Sequence, residues 1–267
     1  MSKIQRICFL LLFLMAFQLC ACKETRANTS SSSETLVNPV DGLSWGMTQD
    51  EALAALPESC SFKNTNTMGQ RTITTVEGFT GTLFDHTVDP EKECFLRLEF
   101  RQPLSYEGVT HEPVLENLTA WVACDDIDKL KEAVSQAMGK PVYEAEGGLG
   151  GVGPTNLEAA YTFVWQPTGS GIQQYGEEVE CLAAAMYGIY YGGNFPDGGD
   201  LTNITTIEEL GELNLKNTEE VRKQAAYEAA RAGQIEVYDY TELKGIAVIK
   251  MKAGLPVMAE AAESHLK

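Results

Sequence analysis

Two cysteines near the start of the chain, Cys20 and Cys22, have the clearest chemical potential, because a thiol can bind a metal, form a disulfide or be alkylated. They follow a nearly continuous apolar run from Ile7 to Leu19. Two basic residues precede the run, and residues 1–21 contain no acidic residue. This pattern is typical of a secretory signal peptide, and the run falls short of the about 20 apolar residues that span a bilayer.

The end of this segment, Leu19-Cys20-Ala21-Cys22, resembles the lipobox of bacterial lipoproteins, in which Leu, a small residue and Ala or Gly precede an acylated Cys. Cys22 has Ala directly before it, whereas Cys20 follows the bulky Leu19. The resemblance implies that Cys22 carries a diacylglycerol and palmitate, and that Cys20 leaves with a signal peptide of residues 1–21. It places the chain on the extracytoplasmic face of a bacterial membrane, with no cofactor besides this lipid. An ordinary cleaved signal is the alternative.

Residues 23–35, KETRANTSSSSET, are polar and lack apolar periodicity. They predict a flexible tether, so the lipidated N-terminus and the tether together extend over residues 22–40. The chain of 267 residues has 20 Lys and Arg against 38 Asp and Glu, a formal charge of −18. This charge argues against nucleic acid and anionic lipid surfaces as partners.

Four further cysteines follow the tether, in a compartment that permits disulfides: Cys60, Cys94, Cys124 and Cys181. Residues 94–100 and 118–124 both alternate between apolar and other side chains. Folded as a hairpin with Phe100 opposite Leu118, they place Cys94 opposite Cys124 on the inward side. We therefore expect a disulfide between Cys94 and Cys124, with two buried free thiols as the alternative. None of the four has CxxC spacing, which argues against a zinc or redox site.

The remaining catalytic and metal-binding patterns are weak. Gly148 to Gly153 match GxGxxG, but a strand-like segment follows where a dinucleotide site needs a helix, so we interpret them as a loop. The three histidines, His86, His111 and His265, lack metal-ligand spacing. Asp-Gly-Gly-Asp at 197–200 lacks the calcium-loop spacing and is interpreted as a turn. We predict no metal site and assign no catalytic residue.

Two strand residues are nevertheless candidates for function. Glu99 together with another acid could cleave a glycosidic bond, which makes a cell-envelope hydrolase with carboxylate chemistry the alternative function. If Leu118, Ala120 and Val122 face inward, Trp121 points to the other side of the strand. There it lies beneath a second layer or is exposed, and an exposed Trp121 would be the first candidate for surface binding.

Helix and strand signals alternate along the chain. Thr48 and Glu51 form a capping box before a helix that Pro57 ends, and a second helix runs from Asp126 to Gly139. Strands are predicted at 72–79, 81–88, 94–101, 115–123, 159–165 and 179–191. A helix at 217–232, a strand at 244–252 and a helix at 256–266 follow.

These elements predict an α+β fold with helices packed on an antiparallel sheet. The domain extends over residues 41–202, with candidate tandem repeats at 41–123 and 124–193. Residues 203–267 form a C-terminal helix-strand-helix extension, which the sequence leaves either as a separate module or packed on the domain.

The segment SWGMTQDEALAAL (44–56) resembles the helix-opening pattern of small bacterial lipoproteins of the BamE/SmpA type and of the β-lactamase inhibitor protein (BLIP) family. MGKP (138–141) is similar to the Leu-Gly-x-Pro that ends their helical part. The resemblance implies a helical pair packed on an antiparallel sheet, duplicated in the inhibitor protein, and relatives that act by binding proteins. We therefore expect a non-catalytic binding module that contacts a protein or another envelope component.

Overall fold

The structure, a computed structural model, describes residues 36–68, 71–102, 112–147, 158–167 and 229–266. It also describes Val179, Ala183 and the pairs 194–195, 199–200 and 226–227. The predicted signal peptide, Cys22, the glycine-rich segment at 148–153 and Cys181 lie outside the described residues. All described residues belong to a single compact unit.

An antiparallel sheet of eight strands is the framework of the protein, so the predicted α+β class holds at this level. Its strands are β1 (Ser61–Met68), β2 (Arg71–Glu77), β5 (Leu96–Arg101), β6 (Val114–Ala123), β7 (Tyr143–Glu146), β8 (Tyr161–Trp165), β11 (Ile235–Tyr240) and β12 (Ile246–Lys252). Across the sheet they follow the order β1-β2-β5-β6-β12-β11-β8-β7.

The centre of the sheet joins distant parts of the chain. β6 pairs with β12 from Asn117↔Lys252 to Ala123↔Ile246, and β12 in turn pairs with β11. Residues 235–252 are therefore integral to the sheet, which corrects the expectation of a C-terminal extension beyond a domain that ends at residue 202. Of the eight strands of the sheet, four follow the helix Gln49–Ala55 and four follow the helix Ile127–Met138, but two of the latter lie beyond the predicted repeat at 124–193.

Two helices pack against one side of the sheet. Thr48 caps α1 (Gln49–Ala55) in a complete capping box with Glu51, and Asp126 caps α2 (Ile127–Met138), which ends at Gly139. Both helices thus begin where the sequence predicted. None of the helices in the described ranges has the length and apolar character that a membrane span requires.

The covered side of the sheet, which we call the apolar face, carries the core. Its strand residues alternate by two because successive side chains of a strand point to opposite sides. On β5 and β6 they are Leu96, Leu98, Phe100, Leu118, Ala120 and Val122, all buried. The helices contribute Ala52 from α1 and Leu130 and Val134 from α2. The alternation that the sequence showed therefore identifies this face.

The register of β5 against β6 differs from the predicted hairpin by two residues. Leu96 lies opposite Ala120 and Leu98 opposite Leu118, and a bulge follows before Phe100 pairs with Leu115. Continued two residues further, this register sets Cys94 against Val122 and not against Cys124. Both cysteines are buried free thiols, so the expected disulfide is not formed. A shift of two residues keeps every side chain on its face, so alternation alone does not reveal it.

Shorter elements complete the described part of the chain. The predicted strand at 81–88 is a small hairpin of β3 (Thr82–Leu83) and β4 (His86–Thr87), because Phe84 and Asp85 both have positive φ. A 3₁₀ turn follows at Pro90–Lys92. β9 (Asn194–Phe195) pairs with β10 (Gly199–Asp200), which is the second half of the Asp-Gly-Gly-Asp segment. Near the C-terminus lie α3 (Thr241–Lys244) and α4 (Leu255–Leu266).

Several elements depart from the sequence prediction. β1, β7 and β11 were not predicted, and Val179 and Ala183, the described residues of the strand expected at 179–191, have helical backbone. Residues 36–40, assigned above to the tether, lie against the domain. Val40 is buried, and the indole Nε1 of Trp45 donates a hydrogen bond to the Val37 carbonyl at 2.8 Å.

Candidate functional site

The other side of the sheet, which we call the polar face, presents charged and aromatic side chains where the apolar face presents core residues. Register places Arg97 and Glu99 of β5, Trp121 of β6, Lys250 of β12 and Glu236 of β11 on this side. Each of these residues neighbours a buried core residue in sequence. The alternating side-chain directions of four central strands thus place these residues on one side of the sheet.

A cavity of about 290 Å³ lies on the polar face, over the centre of the sheet. Five of its described lining residues are cationic: Arg71, Arg97, Arg231, Lys250 and Lys252. Two are acidic, Glu99 and Glu236, so the formal charge of this lining is +3. We call this cavity the cationic pocket. Its charge is opposite in sign to that of the chain as a whole, which is −18.

An aromatic and guanidinium stack forms one wall of the cationic pocket. Phe95 stacks on Trp121 with ring centroids 3.9 Å apart and an interplanar angle of 18°. The Arg97 guanidinium carbon lies 5.2 Å from the centroid of the Trp121 ring, within the range of a cation–π contact. These two contacts hold the indole and orient the guanidinium. Burial and the neighbouring Arg71 lower the pKa of Arg97 from its usual value.

Glu236 organises the opposite wall. The Tyr238 hydroxyl donates a hydrogen bond to its Oε2 at 2.5 Å, and the Gln234 amide donates to its Oε1. Arg231 and Lys250 lie 3.9 and 4.0 Å from its carboxylate oxygens. Burial and the adjacent Glu236 raise the pKa of Tyr238, so the phenol stays a hydrogen-bond donor. Glu236 therefore gathers two cations at the edge of the pocket.

The two carboxylates of the pocket hold neighbouring side chains in place. Glu99 pairs with Arg71 at 2.5 Å across β5 and β2, and both oxygens of Glu236 accept hydrogen bonds. An acid pair that cleaves glycosidic bonds needs one group free to protonate the leaving oxygen. Both carboxylates of the described lining are therefore engaged by neighbouring side chains.

Trp121 lies on the predicted side of β6 but is not the exposed platform that a surface site requires. It is 1% exposed, beneath Phe95 and Arg97, so the structure has the covered one of the two alternatives that the sequence left open. It nevertheless lines the cationic pocket. Its Nε1 is buried and has no hydrogen-bond partner within the described part of the chain.

The cysteines belong to the opposite side of the sheet. Burial raises the pKa of the Cys124 thiol to about 11 and raises that of Cys94 as well. Both groups are therefore protonated and weakly nucleophilic at neutral pH. They contribute to the core and have no place in the cationic pocket.

The other candidates do not assemble into a site. His86 directs its Nδ1 to the Phe84 carbonyl at 2.8 Å within its own hairpin. Within the described ranges, no three His, Cys, Asp or Glu side chains group so as to hold a metal ion. A second depression, of about 400 Å³, follows residues 37–44, and Asp41 is the one ionisable residue in its described lining.

The sequence held a signal for part of the cationic pocket. Arg97 and Glu99 alternate with Leu96 and Leu98, a pattern that predicts a charged face opposite the core. Glu236 lies on β11, which was not predicted. The pairing that brings it beside β5 and β6 joins residues more than a hundred positions apart.

Comparison with protein-family models, curated proteins and solved structures finds no match for this chain.

Proposed function

We propose that the protein is a non-catalytic binding module of the bacterial cell envelope, which holds a component of the envelope at the polar face of its sheet. The observation that carries the proposal is the cationic pocket. Arg97 and Trp121 form one wall and Glu236 organises the opposite wall, all on strands of the sheet, and the pocket's carboxylates fix neighbouring cations instead of remaining free for proton transfer.

The place of action in this proposal follows from the sequence. The segment Leu19-Cys20-Ala21-Cys22 supports a lipid on Cys22, which anchors the domain to the extracytoplasmic side of the membrane. A covalent lipid provides apolar anchoring that does not depend on surface charge, which suits a chain with a formal charge of −18. Labelling with palmitate tests this part, and we expect Cys22→Ala to abolish the label.

A duplicated architecture is the finer fold that we propose. Each four-strand half of the sheet follows one capped helix, and the last strands of the two halves, β6 and β12, meet at the centre. This mirror order supports a repeat, with its second unit extending to residue 252. The relationship to the BamE/SmpA and BLIP-like proteins remains a proposal that rests on Gly46-Met47-Thr48 and on residues 138–141.

The experiment that tests binding compares two charge reversals. The full chain is immobilised, and the components that it retains from detergent-solubilised membranes are identified by mass spectrometry. We expect Lys250→Glu, in the pocket, to lose a specific component, because reversal removes a cation beside Glu236. Lys129→Glu, on an exposed position of α2, is the matched control and should retain it. Equal retention by both variants would contradict the proposal.

The hydrolase alternative is tested in the same preparation. If the chain cleaved glycosidic bonds with Glu99, the Glu99→Gln variant would lose release of reducing ends from cell-wall glycan. We expect neither the unmodified chain nor the variant to release any.

A further inference from the structure

We infer that the cationic pocket is a binding site for a small oxyanion ligand, one that carries carboxylate or phosphate groups, and that the Arg97 guanidinium is its principal contact. The inference rests on the proposed function, because it names the chemistry that the polar face recognises.

The charge of the cationic pocket differs in sign from that of the whole chain. The described lining has a formal charge of +3 within a chain whose formal charge is −18. At physiological ionic strength charges are screened over about 8 Å, so an anion inside the pocket interacts mainly with the lining. A long polyanion would extend over the acidic remainder of the surface. The charge distribution thus selects a small anion.

Arg97 differs from the other cations of the pocket in its contacts. Arg71 pairs with Glu99, and Arg231 and Lys250 lie beside Glu236. Arg97, in contrast, has no ion pair or hydrogen bond in the part of the chain that the structure describes; its guanidinium lies over the Trp121 ring in a cation–π contact. A planar guanidinium presents donors in a fork that matches the oxygens of a carboxylate or phosphate. The stack holds this fork ready without using its donors.

The size and polarity of the pocket also restrict the ligand. A volume of about 290 Å³ is at the lower end of ligand pockets, which indicates a small molecule and not a polymer segment. The cations of the lining in turn favour a molecule that is negatively charged and rich in hydrogen-bond acceptors.

Isothermal titration calorimetry of the full chain in mild detergent tests the inference. Citrate probes carboxylate binding, inorganic phosphate probes phosphate binding, and glucose is the uncharged control. We expect citrate, phosphate or both to bind, glucose not to bind, and added NaCl to weaken binding. Removing the fork with Arg97→Gln should weaken binding by about tenfold or more, since hydrogen bonds to charged groups contribute about 1.5–3 kcal/mol.

Two variants control for general effects of charge and folding. Lys129→Gln removes one positive charge from an exposed position on α2 and should leave the affinity unchanged. Arg97→Lys keeps the charge but not the fork, so we expect an affinity between those of the unmodified chain and Arg97→Gln. Circular dichroism of each variant confirms that the fold is retained.

The outcomes separate the sources of the ligand chemistry. Binding of citrate alone indicates a carboxylate ligand, binding of phosphate alone a phosphate ligand, and binding of both a general oxyanion site. The inference is overturned if neither anion binds, or if Arg97→Gln binds as tightly as Lys129→Gln. Retention of an envelope component through Lys250 without anion binding would overturn this inference and leave the proposed function standing. Anion binding without a retained envelope component would support this inference and contradict the proposed function.

Discussion

On the apolar face of β5, Leu96, Leu98 and Phe100 are fully buried in the hydrophobic core. On the polar face of the same strand, Arg97 and Glu99 line the cationic pocket. One backbone segment therefore supplies the core and the candidate site at alternate positions. Stability and binding thus depend on different residues of the same strands, so substitutions should separate the two properties.

The faces also treat ionisable groups differently. The apolar face holds neutral thiols at Cys94 and Cys124, whose pKa burial raises. The polar face holds charged groups in partly exposed pairs, such as Arg71 with Glu99. Burial favours the neutral form of a group, whereas a charged partner favours the ionised form.

The largest effect on stability is expected from Phe100→Ala on the apolar face. Phe100 is 0% exposed, and removing such a ring leaves a cavity that costs about 3–5 kcal/mol of the free energy of unfolding. Urea unfolding measures the loss. Thr119→Ala on the polar face is the control, with an expected change within about 0.5 kcal/mol. Equal losses for the two variants would show that both faces support the fold alike.

One ion pair of β5 and β6 is fully buried, unlike the partly exposed pairs of the polar face. Arg101 and Glu116 are 1% and 0% exposed and lie 2.5 Å apart, next to the bulge between β5 and β6. Glu116→Gln removes the carboxylate that neutralises a buried guanidinium, so we expect a loss of about 3 kcal/mol in urea unfolding. Replacing both residues, Arg101→Met with Glu116→Leu, should recover most of that loss. A double variant as unstable as the single one would contradict this account.

A smaller effect is expected from raising the pH, through Cys124. Its pKa is raised to about 11 by burial, above the value of about 8.5 for a free thiol. Above the pKa of the free thiol, the unfolded chain releases the proton while the folded chain retains it. The free energy of unfolding therefore falls as the pH rises from about 9 to 11. The contribution is about 2 kcal/mol. Unfolding at pH 7, 9 and 10.5 should show a steeper decline for the unmodified chain than for Cys124→Ala.

Local signals in the sequence predicted the helices and the faces of the strands. The capping box of Thr48 and Glu51 and the cap at Asp126 depend on residues within one turn of each other. Alternation in residues 94–100 placed Leu98 and Arg97 on opposite faces, because the period of a strand is two. These features needed no knowledge of distant residues.

The register and the order of strands could not be predicted in this way. The bulge at Glu116 absorbs one residue, and the two-residue shift of β5 against β6 conserves the faces. β1 at the sheet edge, with the sequence SFKNTNTM, lacks alternating apolar residues because much of it is exposed. The pairing of β6 with β12 depends on contacts across more than a hundred residues. The cationic pocket needs this pairing. Alternation could therefore predict Arg97 and Glu99, but not that Lys250 and Glu236 lie beside them.

The smallest expected effect is a gain in affinity from Glu236→Gln. The glutamine keeps an acceptor for Tyr238 but removes the negative charge beside Arg231 and Lys250, so the formal charge of the lining rises from +3 to +4. Loss of a partly exposed charge changes binding by less than about 1 kcal/mol, or about threefold tighter binding of citrate or phosphate. Isothermal titration calorimetry of this variant and of Arg97→Gln in one series measures the expected gain and the expected loss of affinity. Weaker binding by Glu236→Gln would mean that its carboxylate positions the cations more than it opposes the ligand, and the two walls of the pocket would then act as one unit.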